Sequence, residues 1–151
     1  VVADVIDRRL EKALQLGAWH VINGRKEDTV DRSRALFGGD GADIVFETAG
    51  SRVTAMQSFA SVRRGGEVMI VGTIPGETPV DFLKINREVK VQTVFRYANN
   101  FPMTIQAISS GRFDVLTMVT DEYTYENVQK AFEESLSRKA EIIKGVIKIS
   151  D

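Results

Sequence analysis

Short runs of β-branched and apolar residues alternate along this chain with segments whose apolar positions recur every three to four residues. "VVAD" precedes a helical pattern over 7–17, "HVIN" (20–23) precedes one over 26–37, "ADIVFETAG" (42–50) precedes one over 51–61, and "GEVMIVG" (66–72) closes the series. Strand and helix in strict alternation predict a parallel sheet covered on both faces. "DIVFE" and "VMIVG" are nearly continuous in apolar residues, the pattern of strands buried on both sides. In the first helix Leu10, Ala13, Leu14 and Gly17 share one face, with Asp7 expected as N-cap and Gly17 as the stop. Residues 73–88, "TIPGETPVDFLKINRE", read as a loop, and "VKVQTVFRY" reads as a further strand. "NNFPMTIQAISSGR" predicts a helix capped by an asparagine oxygen, with Pro102 tolerated in its first turn and Gly111 ending it. A last helix over about 124–137 and a strand in "IIKGVIKIS" complete the reading.

Composition narrows the class. The 151 residues are 43% hydrophobic and 27% charged, and a chain of this length buries roughly 68–70% of its unfolded surface. A formal net charge of −1, with both signs interspersed, gives no field that favours nucleic acid or an anionic membrane. No apolar run reaches the roughly 18 residues of a membrane span, and no secretory signal pattern is present. With no cysteine and a single histidine, His20, the chain offers neither disulfides nor a multi-histidine metal site of its own. His20 reads as a structural residue.

In a doubly wound sheet ligands bind beyond the C-terminal ends of the strands, so the residues that follow each strand carry the chemistry. Asp4 is one of them. An acid there accepts hydrogen bonds from both ribose hydroxyls of a dinucleotide and repels a 2′-phosphate; the alternative is a turn or capping residue. Arg8 and Arg9 stand in the first turn of a helix, where the macrodipole disfavours cations. Arg9 is placed to stack on an adenine ring or to pair with Asp4, and its alternative is a solvated surface cation. "ETAG" (47–50) and "VGTIPG" (71–76) follow strands with small residues that let a flat ligand approach the backbone, although ordinary strand-to-helix turns explain either alone. Glu47 lies near a strand end, with no residue close in sequence that pairs with it. "VFRYANNFP" (94–102) presents Arg96 and Tyr97, a cation and a hydroxyl suited to orienting a hydroxylated or phosphorylated small molecule.

A G-x-G-x-x-G between first strand and first helix is missing, and "GGDGAD" (38–43) precedes a strand, so it reads as a turn. That fingerprint precedes the ribose acid by about 20 residues, so the expectation is that it lies upstream of Val1 and that the chain is truncated within its fold.

Taken together, "VVADVIDRRLEKALQLGA", "GADIVFETAG", "GGEVMIVGTIPGE", "VFRYANNFP" and "KGVIKIS" resemble the C-terminal portion of the zinc-dependent medium-chain alcohol dehydrogenases, within them the sorbitol and xylitol (polyol) dehydrogenases. The resemblance implies an α/β fold: an incomplete Rossmann-type doubly wound parallel sheet, lacking its first strand and glycine loop, over 1–95. Residues 96–151 would return to the catalytic domain. It implies NAD-dependent oxidation of a secondary alcohol to a ketone by hydride transfer in a cytoplasmic enzyme. Zinc would be held by residues outside this chain, and the fragment alone would be inactive, without catalytic residues of its own. By the same resemblance Asp4 holds the adenosine ribose with Arg9 beside it, and Thr48, Ala49 and Gly50 flank the adenosine. Val71, Gly72 and Thr73 run beside the nicotinamide, Phe95 lies at its carboxamide, and Arg96 and Tyr97 face the polyol. Dimers or tetramers would form edge to edge through "VKVQTVF". The rival readings are a stand-alone nucleotide-binding or assembly module without catalysis, a related threonine dehydrogenase, and a zinc-free reductase.

Overall fold

The computed structural model describes residues 1–85 and 88–150. They divide into two compact units, one of Ile22–Ala98 together with Val1, the other of Val2–Val21 and the residues from Asn99 onward.

The first unit holds a parallel three-stranded sheet in the order β3 (Ala42–Glu47), β4 (Val62–Ile70), β5 (Lys90–Thr93), with β2 (Val21–Asn23) leading into it. Val45 lies opposite Val68, and Val68 opposite Val91, so the strand ends fall into line along one rim. Helices α2 (Thr29–Leu36) and α3 (Arg52–Ser61) begin at side-chain caps: Asp28 accepts from the Asp31 amide at 2.8 Å and Ser51 from the Thr54 amide at 3.1 Å. Each cap satisfies one amide that the first helical turn leaves open. The α2 cap sets the helix start three residues later than the sequence pattern suggests. Ile22, Ala55, Val62 and Val68 form the buried core of this unit.

In the second unit α1 (Asp7–Gln15) follows β1 (Val2–Asp4), and β6 (Val119–Thr124) pairs in parallel with β7 (Lys144–Lys148) beside α6 (Val128–Ser137). Leu10 and Ala131 are its buried apolar residues. Arg138 on the end of α6 joins Asp121, Glu134 and Glu141 at 3.1, 3.0 and 2.9 Å. Gly17 ends α1 as expected, with a positive φ and its amide bonded to the Leu14 carbonyl while Ala18 reaches Ala13.

Several expectations change. The parallel strands are present, but β3 is not buried on both sides: Ile44 and Phe46 alternate onto an exposed face, because α3 packs on the other. The N-cap of α1 is Ile6, with Asp7 already inside the first turn, since the Asp4 side chain organises the entry. A short helix, α4 (Phe82–Ile85), interrupts the expected 73–88 loop, of which residues 86 and 87 lie outside the described residues. Helix α5 (Phe101–Ser109) forms with Pro102 in its first turn, but Asn100 makes no side-chain cap bond because its own backbone is already helical. Strand β6 was not anticipated, and α6 starts at residue 128 because 125–127 form a tight 3-10 turn. The expected strand over 89–97 ends at Thr93, where the chain turns sharply.

Candidate functional site

Three chain turns follow strand ends in the two units, and each is held differently. At the end of β1 the Asp4 carboxylate folds back on its own turn: Oδ1 accepts from the Val5 amide at 2.7 Å and the Ile6 amide at 2.9 Å. Its second oxygen lies 3.7 Å from the Arg9 guanidinium, which also donates to the Lys139 carbonyl at 3.1 Å. Asp4 therefore serves as a turn residue, and Arg9 takes up the pairing that the sequence allowed. One half-exposed oxygen of Asp4 keeps lone pairs for an incoming hydroxyl, since an ionised carboxylate accepts at about four positions.

At the ends of β3 and β4, two glycine-bearing turns touch. Gly50 has φ +69°, the left-handed region that glycine enters without strain, and a Cβ there would lie 2.8 Å from the Thr73 carbonyl. A Cβ on Gly72 would lie 2.4 Å from the Gly50 amide. The run Thr48-Ala49-Gly50 is thus pressed against Val71-Gly72-Thr73, and Thr48, Ala49, Val71 and Thr73 face solvent. Parallel pairing of β3 with β4 brings these two triplets together, and no side chain intervenes at either glycine. A rim so built lets a flat ligand approach the backbone closely at both glycines.

The residue beneath this rim is Glu47, 2% exposed. Its Oε1 accepts from the Ala49 amide at 3.0 Å, the Gly50 amide at 2.9 Å and the Thr54 hydroxyl at 2.6 Å. Ser51, the cap of α3, lies 2.7 Å from the same Thr54 hydroxyl, so a chain of hydrogen bonds runs from helix cap to strand end. Contrary to expectation, Glu47 has partners close in sequence, the amides two and three residues on, to which Thr54 adds its hydroxyl from the first turn of α3.

The third turn leaves β5. Val94 makes the last ladder bond, its amide to the Ile70 carbonyl at 2.9 Å, and the chain then turns through 96–100. Phe95 is 80% exposed and Tyr97 65% exposed, and the Arg96 guanidinium sits 5.1 Å from the centre of the Phe95 ring. Arg96 has φ 57°, a left-handed conformation that costs an L-residue roughly 1–2 kcal/mol. Arg96 and Tyr97 thus occupy an exposed turn, where a strand end was expected, and Arg96 packs on Phe95.

No helix among the described residues is long and apolar enough to cross a membrane. Among them no group of three or more His, Cys, Asp or Glu side chains is placed to hold a metal ion.

Comparison with known proteins adds the family context. The zinc-binding dehydrogenase family model matches residues 1–110. An uncharacterized zinc-type alcohol dehydrogenase-like protein of Escherichia coli is 63% identical over 150 residues, covering 99% of this chain and 43% of its own length. Sorbitol dehydrogenase of Bacillus subtilis is 37% identical over 151 residues, covering 97% of this chain and 42% of its own length. A crystal structure of an E. coli oxidoreductase/dehydrogenase of unknown specificity superposes with a TM-score of 0.93 at 63% identity, covering 99% of this chain and 43% of that one. The chain spans somewhat less than half the length of these relatives.

Proposed function

We propose, from the premise that this chain belongs to the zinc-binding dehydrogenase family, that it is the C-terminal portion of an NAD-dependent polyol dehydrogenase. That enzyme oxidises a secondary alcohol to a ketone by hydride transfer. The observation that carries the reading is the pair of glycine-bearing turns in contact at the ends of adjacent parallel strands. A rim of small residues with a glycine on each turn, at this place in a parallel sheet, is where a dinucleotide meets backbone. Likeness to a sorbitol dehydrogenase supports the choice of a polyol over other alcohols.

In this reading Asp4 holds ribose hydroxyls with its outer oxygen while the inner one keeps the turn in shape, and Arg9 fixes the carboxylate's orientation. Thr48–Gly50 and Val71–Thr73 line the coenzyme with main-chain groups, and Phe95 does the same with its exposed backbone segment. Arg96 and Tyr97 present a cation and a hydroxyl to the hydroxylated substrate. Bound NAD would supply the hydride acceptor. Zinc, in this proposal, is held by residues outside 1–151, and residues 1–95 and 96–151 are parts of the coenzyme and catalytic domains. The open edge of β5 serves homo-oligomer formation.

The test is turnover by the whole protein that carries this chain, with sorbitol, xylitol or threonine, with NAD or NADP, and with or without a chelator. The expected outcome is polyol oxidation with NAD that the chelator abolishes. Turnover of threonine in preference to both polyols, or a preference for NADP, overturns it.

A further inference from the structure

We infer that Glu47 is the positioning residue of the coenzyme-flanking rim, fixing the turns after β3 and β4 through both its side chain and its main chain; this rests on the NAD reading above. The side chain gathers the Ala49 and Gly50 amides on Oε1. The main-chain carbonyl of the same residue accepts the Val71 amide at 2.8 Å and the Gly72 amide at 2.9 Å. One residue therefore sets the heights of two turns that come from different strands.

Its environment shows that this arrangement is not there for stability alone. Oε2 is buried without a hydrogen-bond partner, and the space a Cβ of Gly72 would fill lies 2.4 Å from it. Burying a carboxylate oxygen without a protein partner is costly, and an apolar residue of similar shape would avoid the cost. What an apolar residue lacks is Oε1, the acceptor that converges the two turn amides and Thr54. Glycine at 72 is then required for the same reason, because any side chain there would drive Oε2 and the Gly50 amide apart. Glu47 touches neither coenzyme nor substrate in this reading; it acts through the backbone it holds.

The experiment uses the whole protein carrying this chain and compares Glu47→Ala, Glu47→Gln, Thr54→Val and a core control, Val62→Ala, which lies at the far end of β4. NAD affinity is measured by calorimetry and amide hydrogen exchange is followed at Ala49 and Gly50. Small displacements of a binding backbone weaken function by about tenfold or more, so Glu47→Ala is expected to raise the Kd for NAD about tenfold and to expose both amides. Glu47→Gln keeps an acceptor oxygen and should restore most of both. Thr54→Val, which removes a single donor, should move both readouts in the same direction by less, and it serves if Glu47→Ala does not fold. Val62→Ala should lower stability with NAD affinity unchanged.

The inference is overturned if Glu47→Ala and Thr54→Val bind NAD as the parent does, or if Val62→Ala weakens NAD as much as Glu47→Ala. Failure of the parent to bind NAD overturns the coenzyme reading instead. In that case exchange at Ala49 and Gly50 still decides whether Glu47 holds the turns.

Discussion

The ends of β4 and β5, neighbours in one sheet, leave it in opposite ways. After β4 the chain is held by the main-chain carbonyl of the buried Glu47, which accepts the Val71 and Gly72 amides, and by Gly72, which admits no Cβ. After β5 the turn carries Arg96 and Asn99, both at φ 57°, and Phe95 and Tyr97 are exposed. A turn whose shape is imposed by burial is sensitive to a single methyl group. A turn whose shape is local tolerates exchange of its side chains at small cost to the fold.

The sharpest way to break this contrast is Gly72→Ala. Its Cβ would approach Glu47 Oε2 and the Gly50 amide to 2.4 Å each, and overpacking of this kind costs about 1–3 kcal/mol. An unchanged urea midpoint would show that the rim is soft. Asp4→Ala comes next, because it removes two accepted turn bonds and should cost about 1 kcal/mol, as loss of a cap does. In the whole protein it should also narrow the preference for NAD over NADP, read from the ratio of kcat/KM values. An unaltered ratio would leave Asp4 a turn residue only.

Arg96→Gly sharpens the other side. Glycine relieves a left-handed strain of about 1 kcal/mol, while loss of the contact with Phe95 gives up about 0.5–1 kcal/mol. Thermal stability should hardly move, and turnover of polyols should fall with NAD affinity kept. Equal loss with a simple secondary alcohol would make Arg96 structural.

The smallest effect concerns a half-buried carboxylate, for contrast with Glu47. Donation from the Tyr123 hydroxyl at 2.8 Å, with help from Arg138 and Lys130 against partial desolvation, holds Glu134 below the usual carboxylate range. A depressed folded value stabilises fully above the unfolded one and is lost as pH falls through the depressed value. Tyr123 is displaced upward, by desolvation first and then by its bond to Glu134, so its contribution holds below the ordinary tyrosine range and fades as pH rises through the raised value. Thermal unfolding of Glu134→Gln should therefore match the parent in acid and fall slightly below it near neutrality. A gap that widened in acid would contradict the pairing.

Much of the first unit is legible because β3 and the 68–70 end of β4 are mostly apolar, and because Ser51 stands at the start of α3. Strand β4 itself begins at Val62, four residues before the strand expected at 66–72, since its first part carries Arg63, Arg64, Gly65 and Gly66. Strand β6, "VTDEYT", was not, since its polar residues are satisfied by distant partners: Asp121 by Arg138, and Thr120 Oγ1 by the Ile143 amide at 3.1 Å. Glu47 differs: its partners are the amides two and three residues on and the Thr54 hydroxyl seven residues on, a local pattern that residue type alone does not announce. Arg96 and Tyr97 stand out by residue type, by their place at the end of a strand pattern and by the family resemblance, whereas the turn itself is hard to read because arginine seldom adopts the positive φ found at Arg96.

The left-handed, solvent-facing turn after β5 has one more consequence, for how such a chain would diversify. Its side chains are exposed, so under the proposed function a lineage could exchange them to explore new alcohols while the glycine rim is inherited intact. Accepting a hydride and choosing its donor would, in that reading, evolve at separate tempos within one short sheet.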